Sequence, residues 1–432
     1  MLISFTVENF LSFCDRQTLS FSPEALKEHQ DYLHIPYLYD SKYRLLKSIA
    51  MYGHNSHGKS NFIKAYAFFR NTIFTSFVFG KTEGFIDVDY FKLNTTHKYK
   101  SSYFEIVFLL RETKYRYNFE ILNGKVVNEG LWYAEAKTRE NYLFERVAEV
   151  ITLSKAWNKE SDKIAQSTIF TKSHNLFLSV LFSQNNVPRT EQISNWFRGN
   201  LIITDSINDS HLKKAVMILT QEEYRSTIHK FIEHADIGFK TIIEKIDSYS
   251  NNKLKLEKDF LNLLFSHELE TFEIYVQHDI YNEKKEWVEH ILFELQKSES
   301  GGSIKYLILA CYLTFAIRNG QLIWIDEIDS RLHVLLLKEI IKVFNGKKNN
   351  VFGCQMVFSV HNTNLLNNKI FRRDQVYFVS KNQYGESSFQ KMHTNKKPIR
   401  KDAPLEKNYL EGGLGGGVSE SLKNKGNTLF EL

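Results

Sequence analysis

The sequence predicts an α/β fold with a mixed sheet at its core, an antiparallel β-subdomain and an inserted helical subdomain. Two patterns support this prediction. Short apolar runs alternate with helix-like stretches, which is typical of a parallel sheet, and they cover residues 47–52, 322–325, 356–360 and 376–379. A β-rich stretch at 103–133 contains Asn123-Gly124 between two of its runs, and this dipeptide favours a tight hairpin turn.

These elements divide the chain into three predicted regions. Residues 1–149 are expected to form the first half of the core together with the β-subdomain. Residues 150–270 are expected to form the helical insertion, because apolar residues recur at helical spacing over 212–232 and again over 256–268. Residues 271–432 are expected to complete the core and end in a Gly-rich tail.

Composition narrows the class of protein. The chain has 432 residues, of which 43% are hydrophobic, and this is enough for one large α/β domain with an insertion. Its formal net charge of +6 is mildly basic, which permits contact with nucleic acid but does not require it.

The cysteines and the apolar segments indicate the cellular compartment in which we expect the protein. Cys14, Cys311 and Cys354 are far apart and form no CxxC pair, so neither a zinc site nor a disulfide framework is expected. A reducing cytoplasm is the simplest location. No stretch of 18 apolar residues occurs, so we expect no transmembrane helix and no membrane partner.

A phosphate-binding motif lies between an apolar strand and a helical stretch. The motif GxxxxGK[ST] predicts that glycines turn backbone N–H groups toward phosphate oxygens, that the lysine reaches the β- and γ-phosphates, and that the serine hydroxyl ligates Mg²⁺. The predicted nucleotide-binding residues are Gly53, His54, Asn55, Ser56, His57, Gly58, Lys59, Ser60 and Asn61. The expected ligands are therefore ATP and Mg²⁺.

An apolar strand that ends in two acids is the second motif. The run Leu322–Ile325 precedes Asp326 and Glu327, as in a Walker B element. Asp326 is expected to hold Mg²⁺ opposite Ser60. Glu327 is the candidate base that polarises the attacking water, a role worth typically ~10²–10⁴-fold in rate. Without the phosphate-binding motif upstream, the same residues would indicate only a strand followed by two acidic residues at the surface.

Two further motifs fit the same chemistry. Ser300, Gly301 and Gly302 precede the apolar helix predicted at 304–318, and a Ser-Gly-Gly turn at a helix N-terminus can bind phosphate, although it can also be a simple N-cap. His361 follows the strand at 356–360 and is a candidate catalytic switch that senses the γ-phosphate.

The order of these motifs resembles that of an ABC-type P-loop ATPase. By this resemblance Gly53 to Ser60 would be the P-loop, Ser300 to Gly302 the signature, Leu322 to Glu327 the Walker B element, Ile328 to His333 the D-loop and His361 the switch histidine. The D-loop would help to carry contacts across the dimer. Several segments resemble, in amino-acid sequence, the corresponding segments of AAA-type ATP-binding proteins of the OLD-like, abortive-infection group. These segments are MLISFTVENFLSF, DEIDSRLH, FSVHNTNLL, FRRDQVYFVSK and RKDAPLEKNYLEGGLGG. The likeness covers roughly residues 1–135 and 290–417. One departure is that the region of Tyr90 to Lys92 lacks the glutamine expected of a Q-loop.

The resemblance implies an ATP-driven sensor or switch in a bacterial anti-phage system. Two copies would close head to tail, as a dimer or part of a larger homo-oligomer, and Ser300 to Gly302 of each would meet the other's nucleotide. It also implies a separately encoded effector, such as a Toprim or HNH nuclease, and a phage protein or nucleic acid as trigger. The alternative is an SMC-like ATPase that clamps DNA or RNA directly, with the basic run at 396–401 as a candidate contact.

Overall fold

A computed structural model describes residues 1–36, 38–79, 85–157, 161–183, 188–204, 209–235, 237–239, 241–246, 272–394, 397–412 and 414. The helix predicted at 256–268 lies outside these ranges, as does most of the Gly-rich tail. Within the described ranges, the longest helices are too short or too polar to cross a bilayer.

The first part of the chain consists mainly of strands around one long helix. In chain order these elements are β1 (Leu2–Glu8), β2 (Gln17–Ser20), β3 (Leu33–His34), β4 (Leu45–Leu46), β5 (Ser48–Tyr52), α1 (Lys59–Phe79), β6 (Ser102–Leu110), β7 (Thr113–Leu122), β8 (Lys125–Glu135), β9 (Asn141–Val147) and β10 (Val150–Leu153).

The middle of the chain is mostly helical and the last part alternates strands with helices. These elements are α2 (Ser161–Phe170), α3 (Phe177–Ser183), α4 (Pro188–Gly199), β11 (Leu201–Ile203), α5 (Asp209–Leu219), α6 (Glu222–Ala235), β12 (Thr241–Ile246), β13 (Phe272–Tyr281), β14 (Trp287–Glu294), α7 (Leu295–Ser298), α8 (Gly301–Asn319), β15 (Leu322–Ile325), α9 (Val334–Asn345), β16 (Gln355–Ser359), β17 (Val376–Lys381), β18 (Ser387–Lys391) and α10 (Leu405–Leu410).

The core is a mixed sheet with strand order β11-β15-β16-β5-β17-β18. The neighbours from β11 to β17 run parallel, and only β18 is antiparallel to its neighbour. Every residue of β5, β15 and β16 is buried, which explains why these strands are nearly continuous apolar runs in the sequence. The predicted α/β fold with a mixed core sheet is therefore confirmed.

The predicted antiparallel β-subdomain is a sheet with strand order β10-β9-β8-β7-β6-β1-β2. Asn123 and Gly124 connect β7 to β8, and both have positive φ angles of 50° and 73°, as a type I′ hairpin turn requires. The Gln355 side chain joins this sheet to the core, because its amide accepts from Leu2 N and donates to Leu2 O.

The region predicted as a helical insertion contains α2 to α6, and it also contains strands. Leu201–Ile203 forms β11, which extends the core sheet by pairing in parallel with β15. This run of three residues is too short for its periodicity to indicate a strand. Helices α5 and α6 pack against the apolar helix α8, so the region shares a hydrophobic cluster with the core.

Aromatic side chains fill the space between α1, the core sheet and the β-subdomain. Trp324 on β15 is fully buried and stacks on Tyr66 of α1 with ring centroids 4.4 Å apart. Phe5 of β1 contacts both rings edge-on. This packing attaches the helix that follows the P-loop to both sheets.

Replacing Trp324 with Ala should destabilise the fold by about 3–5 kcal/mol, because it leaves a cavity where three elements meet. Urea unfolding followed by circular dichroism measures the change. The matched control is Leu335→Ala, which truncates an exposed residue of α9 and should change stability by less than about 0.5 kcal/mol. Equal losses in the two variants would contradict this account of the core.

Candidate nucleotide-binding site

The predicted site residues converge at the carboxyl edge of the core sheet. β5 leads into the turn at 53–58 and then into α1, while its neighbour β16 leads into His361 and the next strand, β15, leads into Asp326. Strands that run parallel end at the same edge, and crevices at such edges are where open α/β sheets bind ligands. Residues more than 250 positions apart in the sequence are therefore brought together by the sheet alone.

Backbone geometry in the P-loop requires glycine at two positions. Gly58 has a φ of 111°, and a Cβ placed on it would lie 2.4 Å from Ser387 Oγ and 2.9 Å from Ser12 Oγ. A Cβ on Gly53 would lie 2.3 Å from Val379 O, so β17 approaches this backbone directly. Ser56 also has a positive φ, of 65°. Alternation of this kind turns N–H groups to one side, as a phosphate nest requires.

Lys59 holds the loop closed from inside. Its side chain is buried, and its ammonium donates to Gly53 O at 2.6 Å and to His54 O at 3.1 Å. Burial lowers the pKa of Lys59 to about 8, and the nearby acids Asp326 and Glu327 act in the opposite direction. The ammonium is thus a desolvated cation that donates to two backbone carbonyls, and phosphate oxygens would be stronger partners for it.

The remaining P-loop side chains are placed at the edge of this turn. His57 Nδ1 lies 3.3 Å from Val379 O, and burial lowers the pKa of His57 below its usual value. His54 packs edge-on against His57, while Asn55 and Ser56 are exposed. Ser60 and Asn61 lie in the first turn of α1, where the Asn61 amide donates to Ser12 Oγ. These contacts explain how histidine side chains fit at loop positions whose main expected contribution to phosphate binding is the backbone N–H group.

The two acids after β15 are held by one serine. The Ser359 hydroxyl donates to Asp326 Oδ1 at 2.5 Å and accepts from Glu327 N at 2.7 Å. Asp326 and Ser359 are both buried, and Glu327 is partly exposed with a φ of 46°. A positive φ is costly for a residue with a side chain, so the backbone at Glu327 needs these contacts to keep its position.

His361 reaches the same point from the end of β16. Its Nε2 lies 3.4 Å from Glu327 Oε1. Asp329 fixes the backbone on which His361 sits, because its Oδ2 accepts from His361 N at 2.8 Å and from Asn362 N at 2.6 Å. The candidate base and the candidate switch therefore face each other across neighbouring strands.

A nucleoside triphosphate with Mg²⁺ fits the residues present. Gly53 and Gly58 let the loop pack closely against Val379 and Ser387, Lys59 offers a buried ammonium, and Asp326 offers a buried carboxylate. Ser60 and Asp326 would hold the metal, as hard oxygen ligands do. Bound Mg²⁺ supplies charge neutralisation at the phosphate oxygens. Glu327 would then orient and deprotonate water from its fixed backbone position.

The predicted signature residues lie at the N-terminus of α8. Ser300 is the N-cap, with Oγ accepting from Ser303 N at 3.1 Å, and Gly301 and Gly302 form the first helical positions. This is the geometry of an ordinary N-cap and also of an anion-binding helix end. Helix α8 is long, with 19 residues, and almost entirely buried after its first turn.

Lys305 is a residue that sequence reasoning missed. It is 2% exposed in the second turn of α8, and its ammonium donates to Glu327 O at 2.6 Å and to Ser330 Oγ. A lysine inside an apolar helix is a detectable signal, since buried lysines are almost always paired. Ser359 was missed as well, although it is the polar residue that ends β16 after the apolar run at 356–358.

Residues 48–367 match a family model described as "AAA domain, putative AbiEii toxin, Type IV TA system". The match covers about three quarters of the chain and includes the residues of the P-loop, the signature, Asp326, Glu327 and His361. The chain belongs to this AAA-domain family. Membership confirms the P-loop nucleotide-binding class, while the finer OLD-like grouping stays a prediction.

Two solved structures are similar to the chain at low identity. An SMC head domain from Thermotoga maritima is 14% identical, with a TM-score of 0.40, and the match covers 91% of this chain and 99% of that one. The recombination mediator protein RecF of the RecFOR pathway is 11% identical, with a TM-score of 0.32 and coverage of 90% and 98%. No curated protein matches the chain.

Mg-ATP affinity should depend on pH through Lys59. With a pKa of about 8 in the free protein, Lys59 is mostly protonated at pH 7, and phosphate oxygens would raise that pKa. Affinity is therefore expected to be level below pH 8 and to fall above it by up to about tenfold per pH unit.

Isothermal titration between pH 7 and 9.5, in buffers of different ionisation enthalpy, measures both the affinity and the proton uptake. Lys59→Met is the control, and its weak residual binding should lack this slope. Constant affinity up to pH 9.5 in the unmodified protein would mean that the ammonium does not bind phosphate.

Ser359→Ala should lower kcat by about 10–100-fold, because it removes the hydroxyl that positions both acids. Lys305→Met should also lower kcat, since it releases Glu327 O. Both variants should keep the Kd for Mg-ATP within about threefold, because neither residue belongs to the P-loop. The control is Ser388→Ala, an exposed serine on β18. Normal turnover in Ser359→Ala would refute the positioning role.

Proposed function

We propose that this protein is an ABC-type ATPase that acts as an ATP-driven sensor and regulatory switch in bacterial anti-phage defence. ATP and water would be converted to ADP and phosphate at the site formed by Lys59, Asp326 and Glu327. The switch would control a separately encoded effector nuclease. The family description, with its reference to a toxin and a type IV toxin–antitoxin system, supports a place in such a system.

The observation that carries the ATPase proposal is the convergence of a buried P-loop lysine with two acids from a neighbouring part of the core sheet. Asp326 and Glu327 act electrostatically on Lys59, so the three charges share one site. A protein that used ATP only as a structural ligand would not need a carboxylate base placed 3.4 Å from a histidine.

A switch also needs two states that ATP distinguishes. Ser300 to Gly302 lie at a helix end that offers N–H groups to an anion, and in the proposed dimer each copy supplies this turn to the other's γ-phosphate. ATP then stabilises the closed dimer by its differential affinity for that state, and hydrolysis removes the stabilisation. The effector would respond to the opening and closing of the dimer.

Glu327→Gln should bind Mg-ATP, turn over at least ~10²-fold more slowly and accumulate as a closed dimer. Light scattering after chromatography in Mg-ATP measures the dimer. Lys59→Ala should stay monomeric because it does not bind ATP. Ser300→Arg should bind ATP as a monomer yet fail to dimerise. ATP-dependent dimers of Ser300→Arg would remove the signature from the interface.

Purification of Glu327→Gln from its native operon in Mg-ATP identifies the partner. A stoichiometric enzyme from a neighbouring gene, found by mass spectrometry, would support a regulator of a separate effector. Co-purified nucleic acid without a protein partner would favour the alternative, an SMC-like clamp on DNA or RNA. The exposed cations Lys397, Arg400 and Lys401 are the observation that keeps this alternative open.

A further inference from the structure

Arg331, in the turn between β15 and α9, lies directly against the glycines of the signature. A Cβ placed on Gly301 would be 2.6 Å from Arg331 Nη1, and one placed on Gly302 would be 2.7 Å from Arg331 O. The bare glycine backbone is therefore what allows the arginine to sit here. Its guanidinium and the N-terminus of α8 occupy the same small surface.

The backbone of this turn is arranged so that Arg331 points outward. Asp329 is engaged by the backbone of His361, and Ser330 Oγ accepts from Lys305, so the two preceding side chains are used inside the molecule. Arg331 itself has a φ of 60°, which an L-residue adopts only when its surroundings impose it. Its side chain is exposed.

Arg331 is also unpaired within the part of the chain that the structure describes. Its guanidinium makes no hydrogen bond or ion pair with any residue in the described part of the chain. The end of α8 adds a positive partial charge at the same place, because the first N–H groups of a helix lack intrahelical acceptors. Two positive sources side by side, facing solvent, form a surface suited to a phosphate anion, which guanidinium groups bind with a fork of donors.

We propose that Arg331 of one copy stabilises the γ-phosphoryl group of the ATP bound by a second copy. This rests on the proposed composite dimer, because a residue packed on Gly301 meets whatever the signature meets. Arg331 thus acts in trans, while Lys59 and Glu327 act on the nucleotide of their own chain.

The role follows from the charge that develops during hydrolysis. The water oxygen forms a bond to the γ-phosphorus while the bond from phosphorus to the β–γ bridging oxygen breaks and its electron pair stays on ADP. The water proton passes to Glu327 and then to phosphate. Negative charge on the transferring group is stabilised by a guanidinium from outside the P-loop, an effect worth roughly 10³–10⁵-fold in other nucleotide hydrolases.

Arg331→Gln should lower kcat by at least about 100-fold, with the Kd for Mg-ATP and the thermal midpoint unchanged. Gln keeps the same backbone strain, so the comparison isolates the charge. Arg331→Lys should be intermediate, because it keeps the charge and loses the fork. The matched control is Lys348→Gln, which removes another exposed cation and should leave kcat unchanged.

Mixing two inactive variants tests whether the arginine acts in trans. Glu327→Gln and Arg331→Gln are combined without nucleotide, and Mg-ATP is then added. In a mixed dimer the Arg331→Gln copy keeps its own Glu327 and receives Arg331 from its neighbour, so one of the two sites is complete and ATP turnover returns. The control replaces Glu327→Gln with the double variant that carries both changes, and it should not recover.

Normal turnover by Arg331→Gln, in a protein whose Glu327→Gln variant still dimerises with ATP, would overturn this inference and leave the proposed function intact. Slow turnover by Arg331→Gln without recovery on mixing would place the arginine in cis and overturn the trans assignment. Absence of any ATP-dependent dimer in Glu327→Gln would instead overturn the proposed function on which the inference rests.

Discussion

The Ser359 hydroxyl is the contact on which the arrangement of the acids depends. It donates to the carboxylate of Asp326 and accepts from the backbone of Glu327, and it comes from the neighbouring strand. One group therefore fixes a metal-ligand candidate and a base candidate relative to each other. Because Glu327 has a positive φ, this bond also helps to maintain a backbone conformation that the chain would otherwise leave.

The same turn connects the acids to the rest of the site through two further buried contacts. Lys305 attaches the signature helix to Glu327 O, and Asp329 attaches the turn to the backbone of His361. A shift of α8 must therefore displace the base or break a hydrogen bond to a buried ammonium, which is costly. Through these hydrogen bonds, a displacement of α8 caused by contact at the signature can change the position of Glu327, without a separate moving domain.

Local pattern was enough to predict the strands that carry the site, and long-range partners were not. β5, β15 and β16 are buried on both faces and appear as apolar runs, and the P-loop glycines are recognisable because their backbone role needs no partner. β11 has only three residues, and it is a strand because it pairs with the edge of β15, which the local sequence does not indicate. The role of Lys305 depends on its contact with Glu327, which is 22 residues away along the chain and adjacent in space, so the local sequence does not predict it.

Lys59 gives the site a physical preference for an anionic ligand. Burial lowers the pKa of this ammonium, which donates to two backbone carbonyls, and anionic oxygens would stabilise its charged form further. Phosphate would do so within one chain, but it would not neutralise the exposed positive surface formed by Arg331 and the end of α8. In the proposed dimer, Arg331 and the N-terminal end of α8 of one copy would face the nucleotide site of the other copy.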